Sequence, residues 1–277
     1  MNGKMSTKRR LLDKHFCFES YGVTVRIESN RTDLLREAEK TVRKALVGNL
    51  RLVDNQKAEH VIGVGRQDDG WYFVRDGNDA DAPLSKTRKP LLKYLNTLAR
   101  FKVAEFAVDR VFVHAGVVGW NGKAIVLPAN SMGGKTTLTA ELVKNGATYY
   151  SDDFAVFDSH GMVHPFARPL SVRVNGDTAN VADVDVASLG GTAGTDPLPV
   201  GFVMLTEYKS DARWEPRFLT PGEGMIEMIT QTIPIRYAPE FSLKVLKTIT
   251  SHAKIAKSYR NDAKDFAKRF LEFVDRN

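Results

Sequence analysis

The chain has 277 residues, 43% of them hydrophobic and 26% charged, with a formal net charge of +7 and one cysteine, Cys17, which excludes an internal disulfide framework and a multi-thiol metal site. That length suits one large domain with an appendage or two smaller domains. No apolar run approaches the roughly 18 residues of a membrane span, and residues 1–14 are polar and basic without a signal-type apolar stretch, so the expectation is a cytoplasmic protein with no membrane partner.

Phe16 to Glu28 reads as two strands turning near Tyr21-Gly22, the second alternating Val23, Val25 and Ile27 with Thr24, Arg26 and Glu28. Thr32 to Leu46 has helix spacing, with Thr32-Asp33 as its cap. His60 to Val64 and Trp71 to Val74 are strands joined across Gln67-Asp68-Asp69-Gly70. The polar stretch Asp76 to Pro90 marks a boundary between a small α+β module, residues 1–85, and a second, α/β domain, residues 86–277. From Pro90 an amphipathic helix carries Leu91, Leu95, Leu98, Val103 and Phe106. Its basic residues lie between these apolar positions, which favours packing, and no nucleic acid partner is expected.

Val111 to Trp120 and Lys123 to Leu127 form a hairpin across Asn121-Gly122. The return strand runs into Pro128-Ala129-Asn130-Ser131-Met132-Gly133-Gly134-Lys135-Thr136-Thr137, and a helix follows to Lys144. Strand, glycine-bearing loop and helix form the context a phosphate-binding loop requires. Main-chain N–H groups at the helix start favour an anion, Lys135 would reach the β/γ-phosphates, and the Thr136 hydroxyl would take a place on Mg²⁺. Residues Asn130 to Thr137 are therefore the candidate ATP-binding set. Ala129 stands where the usual pattern has Gly.

Ala147 to Tyr150 and Phe154 to Phe157 read as strands flanking Ser151-Asp152-Asp153. Two carboxylates at a strand end can split roles, one coordinating Mg²⁺ and the other accepting a hydroxyl proton. His114, in an apolar strand next to the loop strand, would lie close to the phosphates and stabilise charge or orient an acceptor. Further on, Met162 to Val174 is a Pro-punctuated strand region, and Asn175 to Pro199 reads as a mobile loop or insertion. Val200 to Tyr208 and Trp214 to Leu219 are strands, Pro221 to Gln231 is a helix capped at Thr220, and Phe241 to Val274 reads as two helices.

His114-Ala115-Gly116, the loop Ala129 to Thr137, the Gly146 turn and Ser151-Asp152-Asp153 resemble the kinase domain of HPr kinase/phosphorylase and, more closely, the broader HPr-kinase-related serine kinases. That fold is similar to the phosphoenolpyruvate carboxykinase core, a P-loop nucleotide-binding architecture. The resemblance is good over residues 91 to 174 and loose elsewhere. It implies an ATP- and Mg²⁺-dependent kinase acting on a serine-type hydroxyl of a protein, peptide or small molecule. It places Lys135 on the phosphates and Thr136 on Mg²⁺, makes Asp152 the base and Asp153 the metal-linked carboxylate, and sets His114 near the phosphate. Ala129 and Met132 stand where HPr kinases carry Gly. Of the Glu-Ile-Arg-Gly signature, which falls near Ser171, only Arg173 matches, so neither phosphorylase activity nor HPr as substrate is carried over. Arg236 and Arg260 match loosely as anion clamps or are ordinary surface residues. The acceptor is expected to be selected by residues 16–75 and the 175–199 loop. A homo-oligomer stays open, HPr kinases themselves being hexamers. The alternatives are a nucleotide hydrolase switch and a nucleotide-binding scaffold with a diverged loop.

Overall fold

Tyr21 and Gly22 both take positive φ, 49° and 77°, the backbone of a two-residue hairpin turn whose twist suits the strands it joins. Those strands are β1 (Lys14–Ser20) and β2 (Val23–Ser29), and in β2 every second residue from Val23 to Ser29 is buried, as its alternation predicts. The computed structural model describes residues 11–54, 58–129, 134–173 and 181–277. It is mixed α/β with several sheets, and its contacts divide it into two units between Val108 and Asp109.

The first unit adds α1 (Thr32–Ala45), β3 (Arg51–Val53), β4 (His60–Arg66), β5 (Tyr72–Asp76), β6 (Ala82–Ser85) and α2 (Arg88–Phe106). Its six strands run in the order β3-β1-β2-β4-β5-β6, with β2 and β4 parallel and the other neighbours antiparallel. The boundary expected near residue 85 lies further along, because α2 completes this unit's core. Leu91, Leu95, Ala99 and Val103 are buried in one cluster with Leu34, Ala38 and Val42 of α1 and Val25, Ile27 and Ile62 of the sheet. The polar stretch 76–90 is likewise no mere connection, since β6 pairs with β5 within it. The helix cap is also displaced. Arg31, whose backbone is extended, and not Thr32 or Asp33, is the N-cap of α1, no side chain caps the helix, and the Asp33 carboxylate accepts from the guanidinium groups of Arg31 and Arg88.

The second unit is built on β7 (Val111–Trp120), β8 (Lys123–Pro128), α3 (Lys135–Lys144), β9 (Thr148–Ser151), β10 (Phe154–Phe157), β11 (Met162–His164), β12 (Leu170–Arg173), β13 (Val181–Val184), β14 (Leu198–Tyr208), β15 (Arg217–Phe218), α4 (Pro221–Ile229), α5 (Pro239–His252), β16 (Lys254–Arg260) and α6 (Ala263–Arg276). Asn121 and Gly122, at φ 48° and 74°, make the expected hairpin turn between β7 and β8. The main sheet has the order β11-β10-β7-β8-β14-β16-β15, and β11 also pairs with β14, so five of its strands close into a circuit. Strands β8, β14 and β16 are parallel.

Helices cover both faces of this sheet, which is why its strands are nearly continuous apolar runs. On one face Val113, Ala115, Val126 and Val203 meet Met228 of α4 and Val245, Leu246 and Ile249 of α5. On the other, Val118, Ile125, Leu127 and Met204 meet Leu138 and Leu142 of α3 and Phe266 and Phe270 of α6. The expected cap of α4 is present as a reciprocal pair, Thr220 Oγ1 accepting from the Glu223 N–H and Glu223 accepting from the Thr220 N–H at 2.9 Å.

Three expectations need correction here. The tail is not two helices alone, since β16 lies between α5 and α6 and adds to the sheet beside β14. The strand expected at Trp214 to Leu219 shortens to the two residues of β15. The 175–199 segment, where described, is structured: β13 pairs with β12, Asp185 caps a turn of 3₁₀-helix at Val186–Leu189, and Tyr149 exchanges main-chain hydrogen bonds with Thr192 and Gly194. Backbone pairing with β12 and β9 supplies the order that its Gly- and Asp-rich composition does not.

Candidate active site

Strand β8 ends at Pro128, and α3 begins seven residues later at Lys135. Asn130, Ser131, Met132 and Gly133 lie outside the described residues. Gly134 is the N-cap of α3 at φ 75°, a left-handed conformation that favours glycine. A Cβ here would also stand 2.5 Å from Nη2 of Arg260. That nitrogen donates to the Gly134 carbonyl at 3.2 Å, and Nη1 donates to the Asn261 carbonyl at 3.0 Å. Arg260, at the end of β16, is only 2% exposed and is therefore no ordinary surface arginine, whereas Arg236 is exposed.

Lys135 is buried, and its Nζ donates to the Ala129 carbonyl at 2.6 Å, tying the start of α3 to the residue after β8. Burial lowers its pKa to about 8 from the ordinary 10.5, against the opposing pull of the Asp152 charge. Thr136 Oγ1 donates to Asp152 Oδ2 at 2.8 Å. Thr137 is exposed on the first turn of α3.

Asp152 and Asp153 form the step between β9 and β10, which pair with successive stretches of the same strand, β7. The step is held by the Ser151 hydroxyl, which accepts from the N–H groups of Asp153 at 3.1 Å and Phe154 at 3.0 Å. Asp152 is buried and is approached by three donors: Thr136, the Ser171 N–H at 3.4 Å, and the Tyr149 hydroxyl at 3.0 Å from Oδ1. The same hydroxyl lies 2.8 Å from the Arg168 carbonyl, and burial, followed by the Asp152 charge, pushes its pKa well up. Asp153 is more open, with its side chain 19% exposed, and accepts from Arg168 Nη1 at 3.3 Å. Burial lowers the pKa of Arg168 despite the favourable Asp152 charge.

His114 is the β7 residue paired with Phe154, and its Nδ1 lies 2.9 Å from the Asp153 carbonyl and 3.8 Å from Asp153 Oδ1. The fold thus brings Lys135, Thr136, Asp152, Asp153 and His114 together beside the carboxyl end of β8 and the middle of β7. Tyr149 and Arg168 were not singled out by sequence. Their only signal is position, Tyr149 three residues before Asp152 on the same strand and Arg168 before Pro169 in the stretch leading to β12.

Among the described residues, no group of three or more His, Cys, Asp and Glu side chains makes a ready-made metal site. No helix of the described chain is long and apolar enough to cross a membrane.

No protein-family model matches the chain, and no curated protein matches it. Among solved structures it is similar to the HPr(Ser) kinase/phosphatase from Coxiella burnetii, with a TM-score of 0.34 and 11% identity, over 60% of this chain and 88% of that one.

Proposed function

We propose that this chain is a kinase that moves the γ-phosphoryl group of ATP, with Mg²⁺, onto a serine-type hydroxyl of a protein, peptide or small molecule, and that residues 129–137 are its phosphate loop. The reading rests above all on the 2.8 Å hydrogen bond from Thr136 to Asp152 at the first turn of α3, beside the buried Lys135. A hydroxyl, a carboxylate and a buried ammonium at a helix N-terminus are the donor set a bound nucleoside triphosphate calls for.

The residues fit a magnesium ion, although they form no complete cage. Mg²⁺ is typically held by one or two carboxylates, with phosphate oxygens and water filling the remaining positions. Thr136 Oγ1 and the Asp152 carboxylate would hold it. When bound, it supplies positive charge against the phosphate oxygens.

The resemblance gives Asp152 to the base and Asp153 to the metal, but the contacts favour the reverse. Asp152 is buried and its oxygens already accept from Thr136, Tyr149 and Ser171, whereas Asp153 is more exposed and stands next to His114. In the transfer, the acceptor oxygen bonds to the γ-phosphorus while the bond from that phosphorus to the bridging oxygen breaks. ADP departs, and the acceptor proton passes to Asp153. Lys135 holds the phosphates, and Arg168 keeps the Asp153 carboxylate in place.

The test is labelling from [γ-³²P]ATP with serine-bearing proteins and peptides as acceptors. Asp153→Asn is expected to lower transfer by about 10²–10⁴-fold with MgATP affinity retained. Asp152→Asn should weaken MgATP binding and the magnesium dependence together. The opposite pattern returns the base to Asp152. A wild-type chain that binds MgATP and labels no acceptor argues instead for the scaffold.

A further inference from the structure

The two oxygens of Asp152 are approached by different donors. Oδ2 accepts from Thr136 Oγ1 at 2.8 Å and from the Ser171 N–H at 3.4 Å, whereas Oδ1 accepts from the Tyr149 hydroxyl at 3.0 Å. The first two come from α3 and β12. The third comes from inside the core.

Tyr149 is only 1% exposed, and its surroundings hold it on every side. Its backbone pairs with Val118 of β7 on one edge and exchanges hydrogen bonds with Thr192 and Gly194 on the other. Its ring belongs to the apolar cluster that contains Leu138 and Leu142 of α3 and Leu170 of β12. A close-packed ring on a backbone paired at both edges keeps one rotamer, so its hydroxyl is a fixed point against which a carboxylate can be oriented.

The same hydroxyl lies 2.8 Å from the Arg168 carbonyl, and Arg168 Nη1 donates to Asp153 Oδ2 at 3.3 Å. Tyr149 thus touches one carboxylate directly and reaches the other through a single residue. Its hydroxyl has one proton to donate, and an ionised carboxylate is the stronger of its two acceptors. With Phe in its place, the donors to Asp152 among the described residues fall on Oδ2 alone, and the carboxylate is free to turn about its Cβ–Cγ bond. A divalent ion with strict octahedral demands is sensitive to such freedom, because a ligating carboxylate is itself oriented by hydrogen bonds.

We infer that Tyr149 is a positioning residue for the magnesium site, its hydroxyl holding the Asp152 carboxylate in one orientation beside Thr136. The inference rests on the kinase reading above.

Calorimetric titration of the full chain with ATP, in EDTA and in Mg²⁺, tests it, and Tyr150 supplies the control. Tyr150 is the next residue of β9 and is also buried, and its hydroxyl donates to the Asp196 carbonyl at 2.7 Å, but it belongs to the core cluster on the opposite face of the sheet. Tyr149→Phe should reduce the gain in ATP affinity that Mg²⁺ confers by about tenfold and leave the affinity in EDTA unchanged, which also certifies the fold. Tyr150→Phe should leave both affinities as in wild type. A full magnesium gain in Tyr149→Phe, an equal loss in Tyr150→Phe, or a fall in metal-free affinity in Tyr149→Phe overturns the positioning role. A wild-type chain whose ATP binding does not respond to Mg²⁺ overturns the kinase reading itself, a result separable from the behaviour of either variant.

Discussion

In the first unit, Arg75 on β5 lies 2.6 Å from Asp81, and both side chains are 4% exposed. In the second unit Lys135 and Arg260 are comparably enclosed, yet they donate to the main-chain carbonyls of Ala129 and Gly134. A carboxylate meets a buried cation with a full opposite charge, whereas a carbonyl meets it with a dipole. The consequence is visible in Lys135, which burial holds at about 8 even with Asp152 nearby. Burying charge is costly, and in the proposed phosphate loop a bound anion would offset that cost at Lys135. The Arg75–Asp81 pair is a closed structural unit by the same reasoning.

The sharpest way to break this contrast is to remove one partner from the closed pair. Asp81→Asn leaves Arg75 buried without its carboxylate and is expected to cost about 3–5 kcal/mol in urea denaturation, with MgATP affinity unchanged. A loss of about 1 kcal/mol or less, the range of an exposed ion pair, would mean the pair is not closed.

Lys135→Ala should do the reverse. MgATP affinity is expected to fall by about 2–4 kcal/mol, the scale of a strong electrostatic stabiliser, while the urea midpoint holds or rises. A lowered midpoint would make Lys135 a structural residue like Arg75.

The smallest effect is in pH. Because the folded pKa of Lys135 lies below its ordinary 10.5, its contribution to folding stability rises between about pH 8 and that value. Ligand binding would run the other way, since in the proposed phosphate loop it is the charged form that holds the phosphates. MgATP affinity should therefore decline as pH rises through about 8. Lys135→Arg, which stays charged, should remove that break from the titration profile. A break that persists in Lys135→Arg assigns the titration to another group.

Much of this was legible in local sequence because it depends on local backbone chemistry. Asn121-Gly122 demands a turn, Thr220 with Glu223 forms a cap, and Val23 to Ile27 alternates because one face of β2 is buried. Asp152 and Asp153 were legible as a pair because a strand precedes them. The remainder depends on distant partners. Strand β16 offers just Ile255 and Ala256 as adjacent buried apolar residues among lysines, and only its pairing with β14 makes it a strand. Arg260 is 126 residues from the Gly134 carbonyl it binds. Tyr149 and Arg168 reach Asp152 and Asp153 only because β9 and the approach to β12 fold against them. Composition equally misplaced the boundary at residue 85, because the polar stretch hides β6 and because α2 looks as suited to either neighbour until its buried face meets α1.

The circuit of β10, β7, β8, β14 and β11 bears on how the second unit opens. An open sheet peels from its ends, so outer amides exchange with solvent long before central ones. Here no member of the ring is terminal, and β11 cannot detach without releasing both β10 and β14. The amides of β7 and β8, strands paired on both edges within the ring, are expected to be among the last of this unit to exchange. The short step bearing Asp152 and Asp153 is anchored on both sides within that frame, by the pairing of β9 and β10 with β7, and this fixes where the two carboxylates stand.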